Sequence, residues 1–332
     1  MKAESKASEI LRSNFPKRAD QLVKTVNLAY AQKQRFWHNA SHITTLLEKS
    51  NSPLLDLAII FHDLEYLPMV PNNELASAQF VQNKLPEFAG KKEVVQAIIE
   101  SDWKTKPKTS LGKKLFALDT EILMSEQTLS QRLAYELSIF KEYQAVGLET
   151  YKIERTKFLM TWQKEFGGHA SDQADVLSAF QPKVAIYPGS FNPFHFGHLS
   201  VLRNGERIFD QVIVAAGINK QKSSTSIFDR EETLKATLKF HQILGFDTLL
   251  AEALKKFPKA VIIRSIRNGT DLDSELHWRR FTEQLAPEHP VVWIGCEPES
   301  QHISSSAIRE IGTFNQEIAK QYVPTTKQIY FL

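Results

Sequence analysis

The chain has 332 residues, 42% hydrophobic and 24% charged, and a formal net charge of +3. That is an ordinary soluble composition, long enough for two domains with a substantial core each, and the charge is too small to point to nucleic acid. A single cysteine, Cys296, excludes an intramolecular disulfide framework and a CxxC metal site.

No apolar run approaches the ~20 residues of a membrane span. Met1-Lys-Ala-Glu-Ser-Lys6 carries no apolar leader, so a cytoplasmic chain without a membrane partner is expected. Residues up to about 166 read as helical. Leu54, Leu55, Ala58, Ile59 and Phe61 recur at helical spacing, as do Val94, Val95, Ile98 and Ile99. Pro53, Pro68, Pro71, Pro86 and Pro107 punctuate these segments.

Three motifs in this half carry chemistry: Phe36-Trp-His38-Asn-Ala-Ser-His42-Ile43, Phe61-His62-Asp63-Leu-Glu-Tyr66 and Phe116-Ala-Leu-Asp119-Thr-Glu121. His38 and His42, four apart, predict a shared helix face. A histidine, a His-Asp pair and a distant aspartate on separate helices supply nitrogen and oxygen ligands for a divalent metal. Such a metal activates water for phosphate ester hydrolysis. Taken singly, a His-Asp pair more often caps a helix or fills a core position than binds a metal.

Phe166-Gly-Gly-His-Ala-Ser-Asp172 reads as a linker, with a short helix from Ser171 to Phe180. The expected division is a helical domain over 1–168, a linker over 169–182 and a second domain over 183–332. Strand-like runs follow at Val184–Tyr187, Gln211–Ala216, Ala260–Arg264 and Val291–Ile294. Helix-like segments lie at His198–Phe209, Asp229–Leu238, Asp271–Gln284 and Ser305–Ile311. That alternation predicts a parallel sheet covered on both faces, with ligands beyond the carboxyl ends of its strands. Cys296, at the end of the last run, reads as an inert buried thiol.

The most informative stretch is Tyr187-Pro-Gly189-Ser190-Phe191-Asn192-Pro-Phe-His195-Phe-Gly197-His198-Leu199. It joins a buried strand to a helix through a glycine-containing turn. Free backbone N–H groups and the helix dipole favour an anion there, and two histidines can donate to phosphoryl oxygens. Three more segments place phosphate-compatible groups at strand ends: Gly217-Ile-Asn-Lys-Gln-Lys222, Arg264-Ser-Ile-Arg267-Asn-Gly-Thr-Asp271 and His302-Ile-Ser304-Ser305-Ser306-Ala-Ile-Arg309.

Together with Glu275 and Leu285-Ala-Pro-Glu288, these segments resemble the pantetheine-phosphate adenylyltransferases of the nucleotidylyltransferase superfamily over nearly all of 183–332. The resemblance implies a Rossmann-like α/β domain. It implies transfer of an adenylyl group from ATP, with Mg²⁺, to 4′-phosphopantetheine, giving dephospho-coenzyme A and pyrophosphate. His198 would stabilise the transition state with His195 beside it. Ser190 and Lys222 would orient the acceptor phosphate, and Arg264 would hold the same substrate. Gly189 and Phe191 would belong to the ligand-binding loop, while Arg267, Glu275 and Ser304–Ser306 would bind ATP.

Asn192, His195 and Ser265 depart from the usual pattern, where aspartate, threonine and glycine are common. The histidine form and Ile308-Arg309 also suit mononucleotide adenylyltransferases of NAD synthesis, so nicotinate or nicotinamide mononucleotide stands as the alternative acceptor. A non-catalytic nucleotide-binding regulator is the third reading. A homo-oligomer is compatible with this sequence.

Over roughly residues 8–165 the motifs Trp37-His-Asn-x-x-His42, His62-Asp63-x-x-Tyr66, Asn73-Glu74-x-x-Ser77 and Leu118-Asp119-x-Glu121 resemble predicted metal-dependent hydrolases of the HD superfamily. The resemblance implies an all-α domain in which His42, His62, Asp63 and Asp119 hold a divalent transition metal, with His38 nearby either supporting a metal ligand or binding phosphate. Ser101-Asp102-Trp103-Lys104 departs from a family stretch that often contains threonine, lysine and histidine. A structural or regulatory domain therefore stands beside the hydrolytic one.

Overall fold

The computed structural model describes residues 5–217, 226–267 and 269–331. The chain divides into two compact units: Met1–Tyr143 with Glu149–Phe180 and Phe331–Leu332, and Gln144–Leu148 with Gln181–Tyr330.

The first unit is helical: α1 Lys6–Asn14, α2 Ala19–Tyr30, α3 Ala40–Glu48, α4 Pro53–Phe61, α5 Asn73–Lys84, α6 Lys91–Ile99, α7 Ser110–Asp119, α8 Glu121–Met124, α9 Leu129–Tyr143, α10 Leu148–Phe166 and α11 Ala170–Ala179. Its centre is α4. Ser52 caps this helix by accepting the Leu55 N–H at 3.3 Å, and Pro53 opens it without forfeiting a hydrogen bond. Leu55, Leu57, Ala58, Ile59, Ile60 and Phe61 are all buried, and past Asp56 the helix is apolar on every side, as a central helix requires. Each large side chain there contributes roughly 1.5–3 kcal/mol by leaving water. That burial fixes where the helix ends, and His62-Asp63 come immediately after it.

Most of the stretch expected as a linker is α11. Gln173 donates to the Arg132 carbonyl at 3.1 Å and to the Glu136 carboxylate at 2.8 Å, and Leu177 is buried, so the segment packs on α9. Gly167 and Gly168, both at positive φ, turn the chain into it.

The second unit contains β1 Val184–Gly189, α12 Phe196–Glu206, β2 Gln211–Gly217, α13 Ile227–Thr237, β3 Ile243–Phe246, α14 Leu250–Leu254, β4 Val261–Ile266, α15 Gly269–Leu285, β5 Val291–Gly295, α16 Ser305–Phe314, α17 Gln316–Lys320 and α18 Thr326–Tyr330. The five strands form one parallel sheet in the order β3-β2-β1-β4-β5. The β2 residues Val212, Ile213, Val214, Ala215 and Ala216 are all buried, the continuous run of a strand covered on both faces. On one face Gly205 lets α12 approach Ile263, Val212 and Ile294, where an added Cβ would meet Ile263 at 2.8 Å. On the other, Leu250, Leu254 and Trp278 pack with Ile186, Ile213 and Ile262. The arrangement is Rossmann-like.

The sequence pattern does not anticipate β3 or α14. β3 is four half-buried residues, Ile-Leu-Gly-Phe, on the sheet edge, too short and too glycine-interrupted to carry a period-two signal.

Strand order reverses between β1 and β4. β1 runs on to β2 and β3 on one side, whereas β4 and β5 lie on the other. The registered pairing between them is Ala185 with Val261 and Ile186 with Ile262, near their amino ends. Further along, Pro188 has no N–H to offer a ladder. A crevice at such a reversal is where open parallel sheets bind ligands, and the loop after β1 enters it.

Candidate active site and metal centre

His195 and His198 form a reciprocal cap at the start of α12. The His198 N–H donates to His195 Nδ1 and the His195 N–H to His198 Nδ1, each at 3.3 Å. Asx and Ser residues usually cap helices, and here imidazoles do so in both directions. A backbone N–H only donates, so each Nδ1 is the acceptor nitrogen and the neutral ring carries its proton on Nε2. The rings stack with centroids 3.6 Å apart and planes 22° apart. Burial, with Arg267 nearby, pushes the His195 pKa down to about 4. Burial, with His195 and Arg267, holds His198 well below the ordinary imidazole range. Two neutral Nε2–H donors therefore sit side by side at the head of a helix. The helix starts two residues earlier than its sequence pattern suggests because His195 itself is the cap.

Glycine is required next to them. A Cβ on Gly197 would lie 3.0 Å from the His195 ring and 3.3 Å from the Ser300 carbonyl. On Gly189 it would meet the Phe191 ring at 2.8 Å. Phe191 is buried against His198, with centroids 4.9 Å apart, and holds φ at +45°. That left-handed conformation costs a non-glycine residue roughly 1–2 kcal/mol, and strain of this kind collects at ligand sites. Ser190, between them, is exposed.

From β4, Arg264 pairs in bidentate fashion with Glu275 on α15, at 2.7 and 2.6 Å, and lies 4.2 Å over the Trp278 ring. The resemblance assigns these two residues to different substrates; they are partners of each other. Arg267 is held by Asp271 at 2.7 and 3.0 Å and reaches the Ile303 carbonyl at 3.5 Å. Of the three serines, Ser304 caps α16 through the Ala307 N–H at 3.2 Å, and Ser305 donates to the Pro193 carbonyl at 3.0 Å. Ser306 accepts from Arg309, which also reaches the Asn192 carbonyl. The serine cluster thus braces the loop after β1, and its first-turn N–H groups have no intrahelical acceptor. Lys222 lies outside the described residues. Cys296 follows β5, is 8% exposed, and has a thiol pushed up by burial.

In the helical unit, one ligand atom from each of His42, His62, Asp63 and Asp119 lies within 4.8 Å of the others. Asn39 caps α3 by accepting the Ser41 and His42 N–H groups at 2.8 and 3.3 Å, which sets His42 in the first turn. The cap also places His38 outside the helix, so the two histidines do not share a helix face. Asn39 is the signal for this, since asparagine prefers the cap to the interior. Asp119 closes α7 and meets His42 Nε2 at 3.0 Å.

His62 donates Nδ1–H to the Ile59 carbonyl at 2.8 Å, so in the neutral ring Nε2 is the lone-pair nitrogen. It lies 2.9 Å from Asp63 Oδ2, yet both atoms are buried without a hydrogen-bond partner. Two unsatisfied electron-pair donors facing one point fit a cation between them. A proton and a metal ion compete for that Nε2 lone pair: burial opposes the charge on His62, but Asp63 and Asp119 raise it well above the ordinary imidazole range, and, burial notwithstanding, the cationic ring in turn holds both carboxyls below the usual carboxylate range.

Two residues that sequence reasoning misses support this cluster. Buried Arg35 donates to the carbonyls of Asp63 at 2.6 Å, Leu64 at 2.9 Å and Tyr66 at 3.3 Å, fixing the chain after the His-Asp pair. Glu142, fully buried on α9, accepts the Phe36, Trp37 and His38 N–H groups at 2.8, 2.7 and 3.0 Å. Neither stands in a recognisable local pattern.

A pair of imidazole donors at the switch point of a parallel sheet suits nucleotidyl transfer, and residues 186–311 match the cytidylyltransferase-like family. The protein is a nucleotidyltransferase. Phosphopantetheine adenylyltransferase of Buchnera aphidicola subsp. Schizaphis graminum is 35% identical over 156 residues, 45% of this chain and 92% of the relative. The enzymes of that name from Brucella ovis and Clostridium perfringens are 34% and 36% identical, over 91% and 88% of their lengths and 42% and 43% of this chain. Through its C-terminal half, the chain belongs to the phosphopantetheine adenylyltransferase family. Among the described residues, no helix is long and apolar enough to cross a membrane.

Proposed function

We propose that the second unit transfers an adenylyl group from ATP to 4′-phosphopantetheine, releasing pyrophosphate and giving dephospho-coenzyme A. The observation that carries this reading is the His195–His198 pair, neutral and presenting two Nε2–H donors where the loop after β1 enters the crevice. The acceptor's phosphate oxygen attacks the α-phosphorus, and the bond to pyrophosphate breaks. The nucleophile is already an anion, so catalysis is in-line positioning and charge stabilisation rather than proton abstraction. His198 donates to an α-phosphoryl oxygen as charge grows there, with His195 on the adjoining phosphate. Arg267 and the first-turn N–H groups of α16 hold the triphosphate. Ser190 and Lys222 orient the acceptor, with Arg264 held in place by Glu275. Mg²⁺ travels with the nucleotide and screens its charge. The similar enzymes bear the name of this acceptor, which favours it over a mononucleotide despite His195. Mass identification of dephospho-coenzyme A from ATP and 4′-phosphopantetheine tests the reading; a product formed only from nicotinamide or nicotinate mononucleotide overturns it.

For the first unit we infer an HD-type metal centre held by His42, His62, Asp63 and Asp119. The unsatisfied His62 Nε2 and Asp63 Oδ2 support it. A divalent transition metal there supplies Lewis acidity and lowers the pKa of water for phosphate ester hydrolysis. His42 and His62 offer neutral nitrogens, Asp63 and Asp119 balance the charge, and Arg35 keeps the His-Asp turn rigid.

A further inference from the structure

Arg155, on α10 in the helical unit, is a cation held out of water with donors to spare. Its side chain is 10% exposed, and its Nε and Nη2 are buried with no hydrogen-bond partner. The guanidinium lies against two rings, 4.8 Å from the Phe158 centroid and 5.3 Å from that of Tyr135. A carboxylate, Glu136, stands 3.4 Å from Nε. Glu136 is satisfied without it: Oε1 accepts the Tyr151 hydroxyl and Oε2 the Gln173 amide at 2.8 Å. An arginine that only tied α10 to α9 would turn its planar fork onto that carboxylate, as Arg264 does onto Glu275. Instead the aromatic rings hold the fork and its buried N–H groups stay unused. Each such donor costs about 1–3 kcal/mol unless something accepts from it.

We propose that Arg155 anchors an oxyanion-binding site in the helical unit, whose ligand is a phosphate or similar acidic group. A guanidinium only donates, so it selects a group that only accepts, and a fixed planar fork matches two oxygens of an anion. Trp162, two turns further along the same face of α10, adds a buried Nε1–H that also lacks an acceptor. The site adjoins the metal cluster on two sides. Tyr135 packs on Trp37 at 4.6 Å, and Trp37 on His42 at 5.3 Å. Trp162 stacks on Phe116 at 5.6 Å, and Phe116 precedes Asp119 by about one turn of α7. Burial raises the Tyr135 hydroxyl, Arg155 opposes that and Asp119 adds to it, so the hydroxyl lies in the field of both. The substrate class follows from that adjacency and rests on the metal-centre reading above. It is a phosphate ester with a second acidic group, its scissile phosphate at the cluster and the other group on Arg155.

The test follows the arginine Nε–H signals of the isotope-labelled full-length chain by NMR. Inorganic phosphate is added with EDTA present and ionic strength held constant with chloride. One signal, missing from Arg155→Lys, is expected to shift saturably. An Arg155 signal that stays in place throughout the phosphate titration overturns the site. Should Arg155→Lys not fold, Phe158→Leu assigns the same signal by removing the ring that lies against the guanidinium. Mn²⁺ in place of EDTA then separates the two readings. One equivalent at the cluster should broaden the Arg155 signal by paramagnetic relaxation, and His62→Ala should abolish that broadening. A phosphate shift without the broadening keeps the oxyanion site and overturns the metal-centre reading. Broadening without the shift keeps the metal centre and overturns the oxyanion site.

Discussion

His195 and His198 each accept a hydrogen bond from the other's backbone N–H while their rings stack at 3.6 Å. One interaction thus starts the helix, selects the tautomer of both rings and leaves Nε2 of each as its donor. Cap and phosphate site are the same atoms, so a change that disturbs the cap disturbs the chemistry.

His198→Ala should reduce kcat for adenylyl transfer by about 10²–10³, the cost of removing one preorganised donor to developing charge. His195→Asn keeps a competent cap and removes the second donor, so stability should stay within ~1 kcal/mol while kcat falls. Steady-state kinetics with thermal melts separate the two effects.

Gly197→Ala should place a methyl 3.0 Å from the His195 ring and 3.3 Å from a fixed carbonyl. The ring has to move, because the Ser300 backbone does not yield readily. A stability loss of about 1–3 kcal/mol is expected with a roughly tenfold drop in kcat. A variant with wild-type kcat would show that ring position at His195 is unimportant.

The pH dependence of stability follows from burial. An ordinary imidazole titrates near 6.5, and His195 is pushed down to about 4 in the fold. The unfolded chain therefore takes up a proton first as pH falls. Stability is whole above about pH 6.5 and is lost progressively towards pH 4, with this residue's share approaching ~3 kcal/mol at the lower limit. Comparing melts of wild type and His195→Asn between pH 8 and 4.5 isolates that share. The wild type should fall more steeply; parallel curves would contradict the depressed value.

Glu275 discriminates between two roles. If its work is to hold Arg264, Glu275→Ala should raise KM for the acceptor by about tenfold and leave KM for ATP little changed. Direct contact with ATP would give the reverse. Initial rates with each substrate varied in turn decide this.

In the helical unit, His62→Ala and Asp119→Asn should each remove the metal, read by elemental analysis of the purified chain. Ser101→Ala, distant from the ligand set in sequence, should retain it. Metal kept at wild-type stoichiometry in both ligand variants would remove the basis for a cluster at these residues.

Much of this is legible because it is local. The strand–turn–helix motif after Val184 announces its own glycines and histidines, and long apolar runs such as Gln211–Ala216 read correctly as buried strands. The four metal-compatible residues stand out by motif although they come from α3, the turn after α4 and the end of α7. What escapes is tertiary. Glu142 is a lone carboxylate on an amphipathic helix, 104 residues from His38, and nothing nearby marks its burial. Arg264 and Glu275 look like two ligand-binding groups because sequence does not say which charges face each other. The four-residue spacing puts His38 on a helix, where the asparagine cap overrules it.

Initial rates of pyrophosphate release decide whether the second unit transfers an adenylyl group to a phosphopantetheine acceptor. The full-length chain would be given ATP and Mg²⁺ with 4′-phosphopantetheine, nicotinamide mononucleotide or nicotinate mononucleotide in turn. The kcat/KM for 4′-phosphopantetheine is expected to lie at least about a hundredfold above that for either mononucleotide and to fall by about 10²–10³ in His198→Ala. A preference for a mononucleotide, or ATP binding without turnover of any of the three acceptors, would contradict it.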